Sequence, residues 1–301
     1  MERRTLGNTG MSASVLGFGG SEIGYGRVPE PEVAQILGAA LDAGLNVIDT
    51  AECYLDSEEK IGATVSHRRG EFLLFTKVGH AEGYGPKEDW SAPGIAWSIE
   101  RSLKRLRTDR LDLVQLHSCD LEILRRNDFE CVRALEEAKR QGKTRFIGYS
   151  GDGATALAAI RTGRFDVLQT SVNVADQQVL DAVLPEAAAR GMGVIAKRPI
   201  ANAAWLKASV PEGDYSRPYW ERLRELSYPW LSGPAREAVA KALRFTLSQP
   251  GVHTAIVGTS KPGRWQENAA LLGAGLLPTG EIEAIRARWR EVAKPEWVGQ
   301  T

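Results

Sequence analysis

The chain has 301 residues, 43% apolar and 25% charged, and its 38 basic side chains balance 38 acidic ones. That length builds a sizeable α/β core, while the even charge excludes a nucleic-acid-binding tail or a polybasic membrane surface. No apolar run approaches the ~18 residues of a spanning helix, Met1-Glu2-Arg3-Arg4-Thr5 lacks the apolar stretch of a secretory signal, and Cys53, Cys119 and Cys131 form no CxxC pair, which reads as a cytoplasmic protein with reduced thiols.

Residues 1–14 read as a β-hairpin turning at Gly7-Asn8-Thr9-Gly10, since Asn and Gly tolerate positive φ. From Val15 an alternation of strand and helix begins. The first strand ends in a Gly-rich stretch, Gly17 to Gly26. Its helix starts near Pro31, carries Val33, Ile36, Leu37, Ala40 and Leu41 at helical spacing, and stops at Gly44. The second strand is Asn46–Asp49, with a helix entered at Ser57-Glu58-Glu59-Lys60. The third is Phe72–Val78, with a helix opening at Ser91; the fourth is Leu111–His117, with a helix from about Asp128 to Gly142. Arg145–Tyr149, Val167–Val172, Gly193–Ala196 and Thr254–Val257 are the remaining strands. Their helices are Ala154–Ile160, Val179–Arg190, Pro234–Ser248 and Arg264–Leu272. Thr279–Arg290 adds one helix, and the tail after Pro295 reads as irregular.

Eight strand–helix units fit a (β/α)8 TIM barrel, read here as a single domain over residues 1–301. A doubly wound sheet would carry GxGxxG at its first turn, and Gly17, Gly19, Gly20 and Gly24 do not match it. One connection is unusual. About 35 residues, from Arg198 to Gly233, separate the seventh strand from its helix and hold Trp205, Tyr215, Tyr219, Trp220, Tyr228 and Trp230, with a short helix at Arg217–Leu226. This insertion is either a cover over the barrel mouth or a peripheral packing excursion.

Asp49, Lys77 and His117 close three successive strands, and Tyr54 follows Asp49 in a polar loop, so the four converge on one barrel rim. An ammonium beside a phenol favours the phenolate and lowers the phenol pKa, which suits a general acid near neutral pH. Asp49 would hold Lys77 charged, and His117 would orient a carbonyl oxygen. The set contains no Ser-His nucleophile pair and no metal cluster; it suits protonation of a carbonyl oxygen as a cofactor delivers hydride to the carbon. Each residue alone has a structural alternative, as a cap, a solvated charge or a satisfied core group.

These residues resemble the aldo-keto reductases over about residues 3–290. The resemblance is carried by Asn46-Val47-Ile48-Asp49-Thr50-Ala51-Glu52-Cys53-Tyr54, Ser57-Glu58 with Ile61-Gly62, Thr76-Lys77, Ser98-Ile99-Glu100 with Ser102-Leu103 and Leu106, and Asp109 with Leu111-Asp112-Leu113 and His117. It implies NADPH-dependent carbonyl reduction, with Tyr54 as proton donor, Lys77 and Asp49 as its tuning pair and His117 as substrate orienter. It further implies a cofactor site at Gly20, Ser150, Gln169, Lys197, Arg198, Gly258, Thr259, Ser260, Arg264, Glu267 and Asn268, with Ser150 and Gln169 on the nicotinamide carboxamide. Arg264 can fork onto a phosphate, although Gly-Thr-Ser before a helix is also an ordinary cap.

Three departures stand out. Ser150-Gly151-Asp152 replaces a Ser-Asn, Gly258-Thr259 replaces a Lys-Ser or Arg-Ser, and Lys197-Arg198-Pro199 stands where many relatives stack an aromatic residue on the nicotinamide. NADP(H) is therefore expected, with NAD(H) an alternative, and a cation at Lys197 is expected to disfavour the oxidised cofactor. The partner is a small carbonyl or alcohol substrate, not nucleic acid or membrane. Tyr25, Trp90 and Asn173 are candidates for its pocket, and Trp90 equally for packing; aromatics over an apolar mouth favour aromatic or aliphatic carbonyls over sugars. Alternatives are a dehydrogenase oxidising a sugar or alcohol, and a cofactor-binding regulatory or scaffold protein of the same fold.

Overall fold

Ten strands form among the described residues, 1–80 and 90–300, of the computed structural model, eight of them from largely apolar runs. β1 (Arg3–Thr5) and β2 (Ser12–Ser14) pair antiparallel as the hairpin. β3 (Leu16–Gly19), β4 (Val47–Asp49), β5 (Leu73–Val78), β6 (Leu111–His117), β7 (Thr144–Ser150), β8 (Val167–Ser171), β9 (Gly193–Lys197) and β10 (Thr254–Gly258) run parallel in chain order, and β10 bonds back to β3 to close the expected barrel. Around it lie α1 (Ser21–Tyr25), α2 (Glu30–Asp42), α3 (Ser57–Val65), α4 (Ala92–Arg105), α5 (Leu121–Arg140), α6 (Gly153–Thr162), α7 (Val179–Ala189), α8 (Arg217–Leu226), α9 (Ala235–Leu247), α10 (Arg264–Ala270) and α11 (Thr279–Val292). No described helix is long and apolar enough to cross a membrane.

Local chemistry explains the helix entries. The Ser91 hydroxyl accepts from Gly94 N at 3.2 Å to cap α4, which buries Ile95, Ser98, Ile99 and Ser102 and ends with Lys104 and Arg105 near its carbonyls. Two elements differ from the sequence reading. The Gly-rich stretch after β3 contains α1. α5 begins at Leu121, ahead of the expected Asp128, because Asp120 accepts from Ile123 N at 2.7 Å; the backbone then leaves helical geometry at residues 126–129.

Side chains alternate along a strand, so positions two apart share a face. Val47, Phe75, Leu113, Val167 and Ile195 point inward and form a buried cluster with Leu6, Met11 and Ala13 of the hairpin segment. Two residues further on stand Asp49, Lys77, Gln115, Gln169 and Lys197. The barrel is therefore filled by an apolar layer below a polar one. The hairpin stoppers the lower end: Asn8 N donates to Gly191 O at 2.8 Å, and Gly7 has φ +53° with an added Cβ only 2.2 Å from Gly193 N, so glycine alone permits that seat.

The insertion after β9 serves both expected purposes. Tyr219, Leu223 and Leu226 of α8 and Tyr228 are buried with Phe245, Trp289 and Trp297 in a second core, while Asn202, Leu206, Lys207 and Tyr215 face the barrel mouth. The tail is irregular yet anchored. Trp297 is buried, and Arg222 donates to Val298 O at 2.8 Å.

Candidate functional site

The upper polar layer centres on Asp49. Its Oδ2 lies 2.5 Å from Lys77 Nζ, and both side chains are 1% exposed. Gln169 Nε2 and Gln115 Nε2 donate to its Oδ1 at 2.9 and 3.3 Å, and Lys77 also donates to Thr50 O at 2.7 Å. Each charge thus has its counter-charge and further hydrogen bonds, the condition for tolerating ions in a dry interior. Ser150 donates from Oγ to Gln169 Oε1 at 3.0 Å, extending the layer towards β7. Gln115 was not among the sequence candidates. Its signal was its phase, two residues beyond Leu113 on the inward face.

Tyr54 sits above this layer on the loop after β4. Gly24 of α1 lets that loop approach, since a Cβ there would lie 2.1 Å from Tyr54 O. The Tyr54 ring centroid is 5.1 Å from Lys77 Nζ, 5.6 Å from the His117 ring and 5.8 Å from the Tyr25 ring. The structure brings the four rim residues together, but it reverses the expected pKa shift. Burial and the Asp49 carboxylate push the Tyr54 phenol well above its ordinary value. The phenol therefore stays protonated at neutral pH.

Burial and then the Lys77 cation hold His117 well below the usual imidazole value, so the ring is neutral. Its Nδ1 lies 3.4 Å from Cys53 Sγ. Burial raises the Cys53 thiol to about 12, leaving it protonated and able to donate to Nδ1, which places the imidazole proton on Nε2. His80 donates from Nε2 to the His117 carbonyl at 2.9 Å. Glu52, buried, accepts from Gly79 N at 2.8 Å, His80 N at 3.0 Å and Arg101 at 2.7 Å, and so holds the strand end that carries His80. Neither Glu52 nor His80 was singled out as a site residue from the sequence.

A cavity of about 920 Å³ runs across this rim. Tyr54, His117, Ser150 and Gln169 line it, as do Gly258, Arg264 and Asn268 at and after the end of β10, together with Tyr25, Lys197 and Arg198. Tyr215 of the insertion lines it as well, and so do Ser118, Glu22, Asn202, Lys207 and Asp214, which the sequence did not single out. Several expectations need correction. Gly20 lies behind the wall, its N–H on Asp49 O at 2.7 Å and its carbonyl accepting from Ser57. Thr259 accepts from Lys261 N in a local turn, Ser260 does not reach the lining, and Glu267 lies 3.2 Å from Arg264 as its ion-pair partner. Trp90 packs under His80, with ring centroids 5.4 Å apart, and Asn173 is fully buried, folding its Oδ1 onto Ala175 N at 2.8 Å. Packing and turn formation claim these two side chains, so neither lines the cavity.

Lys197 is not an isolated cation. Its Nζ lies 2.8 Å from Asp152, which also accepts from Thr170 Oγ1 at 2.7 Å and Ser171 N at 2.6 Å. Burial draws the Lys197 pKa down, Asp152 opposes that, and Arg198 adds to it. The departures at 152 and 197 thus form one ion pair, which removes the premise that an uncompensated charge faces the cofactor. Arg198 donates to Ser171 Oγ at 2.7 Å and, with Lys197, to the Gln300 carbonyl of the tail.

Active sites of parallel-barrel enzymes lie at the carboxyl ends of the strands, and this rim carries acid–base groups there. The sequence model of the Aldo/keto reductase family matches residues 15–290, and the chain belongs to that family. It is 29% identical to L-galactose dehydrogenase of Arabidopsis thaliana, covering 100% of this chain and 99% of that protein. It is 28% identical to D-threo-aldose 1-dehydrogenase of Pseudomonas sp, covering 95% and 94%. The holo form of aldo-keto reductase AKR11C1 from Bacillus halodurans superposes with a TM-score of 0.82 over 99% of both chains at 26% identity. The protein is an NAD(P)H-dependent oxidoreductase.

Proposed function

We propose that the protein reduces an aldehyde or ketone to an alcohol with hydride from a nicotinamide dinucleotide, with Tyr54 as general acid. The observation that carries this is the convergence of Tyr54 and His117, which line a single cavity, on the buried Asp49–Lys77 pair. A dinucleotide held in the cavity would supply hydride to the carbonyl carbon. Tyr54, protonated at neutral pH, releases its proton to the carbonyl oxygen. Lys77 stabilises the phenolate charge as it forms, and Asp49 keeps Lys77 charged and in place. His117 donates from Nε2 to the same oxygen and orients it. Ser150 and Gln169 would hold a carboxamide, and Arg264 and Asn268 the adenosine end; the volume and lining of the cavity support that fit.

Tyr54→Phe tests the reading. It should lower turnover by ~10²-fold or more while dinucleotide binding persists. Full activity in this variant would refute it. Tight cofactor binding without turnover on a wide carbonyl panel, followed by NADPH absorbance, would favour a regulatory or scaffold role.

Oxidation of a sugar at the same site is the second reading. It is favoured by the insertion, which brings Asn202, Lys207, Asp214 and Ser216 to the mouth beside Tyr215 and Leu206. Such a rim can hydrogen-bond a polyol, against the sequence expectation of an aromatic mouth for apolar carbonyls. Two of the named relatives are sugar dehydrogenases. Initial rates in both directions, with aldoses and with simple aldehydes, separate the two readings.

A further inference from the structure

Glu22 lies at the adenosine end of the cavity and has no part in the reaction described above. It is the second residue of α1, is exposed, and lines the same cavity as Gly258, Arg264 and Asn268. Its side chain leans over the end of β10. A Cβ built on Gly258 would lie 2.7 Å from Glu22 Cγ and 3.1 Å from the Gly19 carbonyl. A side chain at 258 and the acid at 22 in its present position therefore exclude each other. Among the described residues, no lysine or arginine forms an ion pair with Glu22. Arg264, the guanidinium available to a phosphate, lies 3.2 Å from Glu267 and is half exposed. Beside Gly258 the cavity thus holds an acid without a counter-cation among the described residues and an arginine already partnered by Glu267.

The geometry points to Glu22 as a cofactor-selecting residue: seated over Gly258, it disfavours a 2′-phosphate and shifts the preference towards the unphosphorylated dinucleotide, NAD(H). This rests on the cavity being the dinucleotide site. A carboxylate accepts hydrogen bonds from ribose hydroxyls, which a 2′-phosphate removes and replaces with like charge. The glycine at 258 is the complementary half of the arrangement. It leaves room for the acid and withholds the cation that a lysine would place there.

The test is binding of NAD⁺ and of NADP⁺ to the full chain by calorimetry, for wild type, Glu22→Gln, Gly258→Lys and the double variant Glu22→Ser/Gly258→Lys. Glu22→Gln should tighten NADP⁺ about five- to tenfold, the scale of one like-charge contact in a partly screened groove, and leave NAD⁺ within about twofold. The double variant should tighten NADP⁺ further, while Gly258→Lys alone should gain less because the acid blocks its side chain. An unchanged NADP⁺/NAD⁺ ratio in Glu22→Gln overturns the inference. Equal tightening of both cofactors also overturns it, because the acid would then oppose the diphosphate that both share. If neither dinucleotide binds the wild type, the reading of the cavity itself fails, an outcome distinct from the other two.

Discussion

Removing Lys77 as Lys77→Met isolates the buried ion pair. Asp49 and Lys77 are each 1% exposed and 2.5 Å apart, so losing the ammonium leaves a carboxylate that cannot reach water. Breaking a buried pair from one side costs about 3–5 kcal/mol. Gln169 at 2.9 Å and Gln115 at 3.3 Å go on donating to Asp49, which places Lys77→Met near ~3 kcal/mol. Asp49→Asn instead strands the ammonium, with the Thr50 carbonyl at 2.7 Å as its surviving acceptor, and falls nearer ~5 kcal/mol. The double variant carries neither charge, and its loss should be smaller than the sum of the singles by ~2 kcal/mol. Denaturant titration of all four proteins measures the cycle. Single losses that add to within ~0.5 kcal/mol would refute the coupling and, with it, the claim that Asp49 is what keeps Lys77 charged. The same Lys77→Met protein should lose turnover by ~10²–10⁴-fold. Its His117 should titrate closer to the ordinary imidazole value, because Lys77 follows burial among the causes that hold it down.

Burial raises Glu58 to about 7, so the folded chain keeps a proton that the unfolded chain releases, and stability declines as pH rises from about 4.5 to about 7. Glu58→Gln should therefore raise the stability measured by denaturant titration at pH 8 by up to ~3 kcal/mol and give no gain near pH 4. His117 has the opposite sign: its folded pKa is depressed, so stability falls as pH drops below the ordinary imidazole value of about 6.5, and His117→Gln should flatten that part of the wild-type profile in thermal melts. Lys197→Met leaves Asp152 as a buried carboxylate beside the cofactor groove, so oxidised cofactor should gain affinity relative to reduced; an unchanged ratio in fluorescence titrations would remove Lys197 from that balance.

The barrel and the four rim residues were legible because both depend on short-range pattern. Val47 and Asp49, Phe75 and Lys77, and Leu113 before His117 sit on period-two strands that end in polar residues, and strand ends face one rim in a parallel barrel. Gln115 and Glu52 were equally near the motif, but a buried amide or carboxylate declares its role only through its partners: Asp49 for one, and the Gly79 and His80 amides for the other. The pKa of Tyr54 could not be read from adjacency. Lys77 is near it, yet whether a cation acts on a phenol depends on what else neutralises that cation and how dry the site is. Trp90 and Asn173 failed for the converse reason. Loop position suggested access, while a T-shaped contact with His80 and a local turn claimed their side chains.

The three departures from the family pattern make a further point about what single positions conceal. Taken alone, an acid at 152 removes a contact, a cation at 197 adds an unbalanced charge, and a glycine at 258 weakens a phosphate grip. In space they resolve into two compensated sets. Lys197 pairs with Asp152, whose remaining lone pairs are taken by Thr170 and Ser171, and Gly258 makes room for Glu22. The tail closes the first set, since the Gln300 carbonyl accepts from both Lys197 and Arg198 some hundred residues away in sequence. Charge that would be costly in a dry rim is thus balanced by residues that no local pattern connects. A substitution at 197 or 258 alone therefore leaves its partner unmatched.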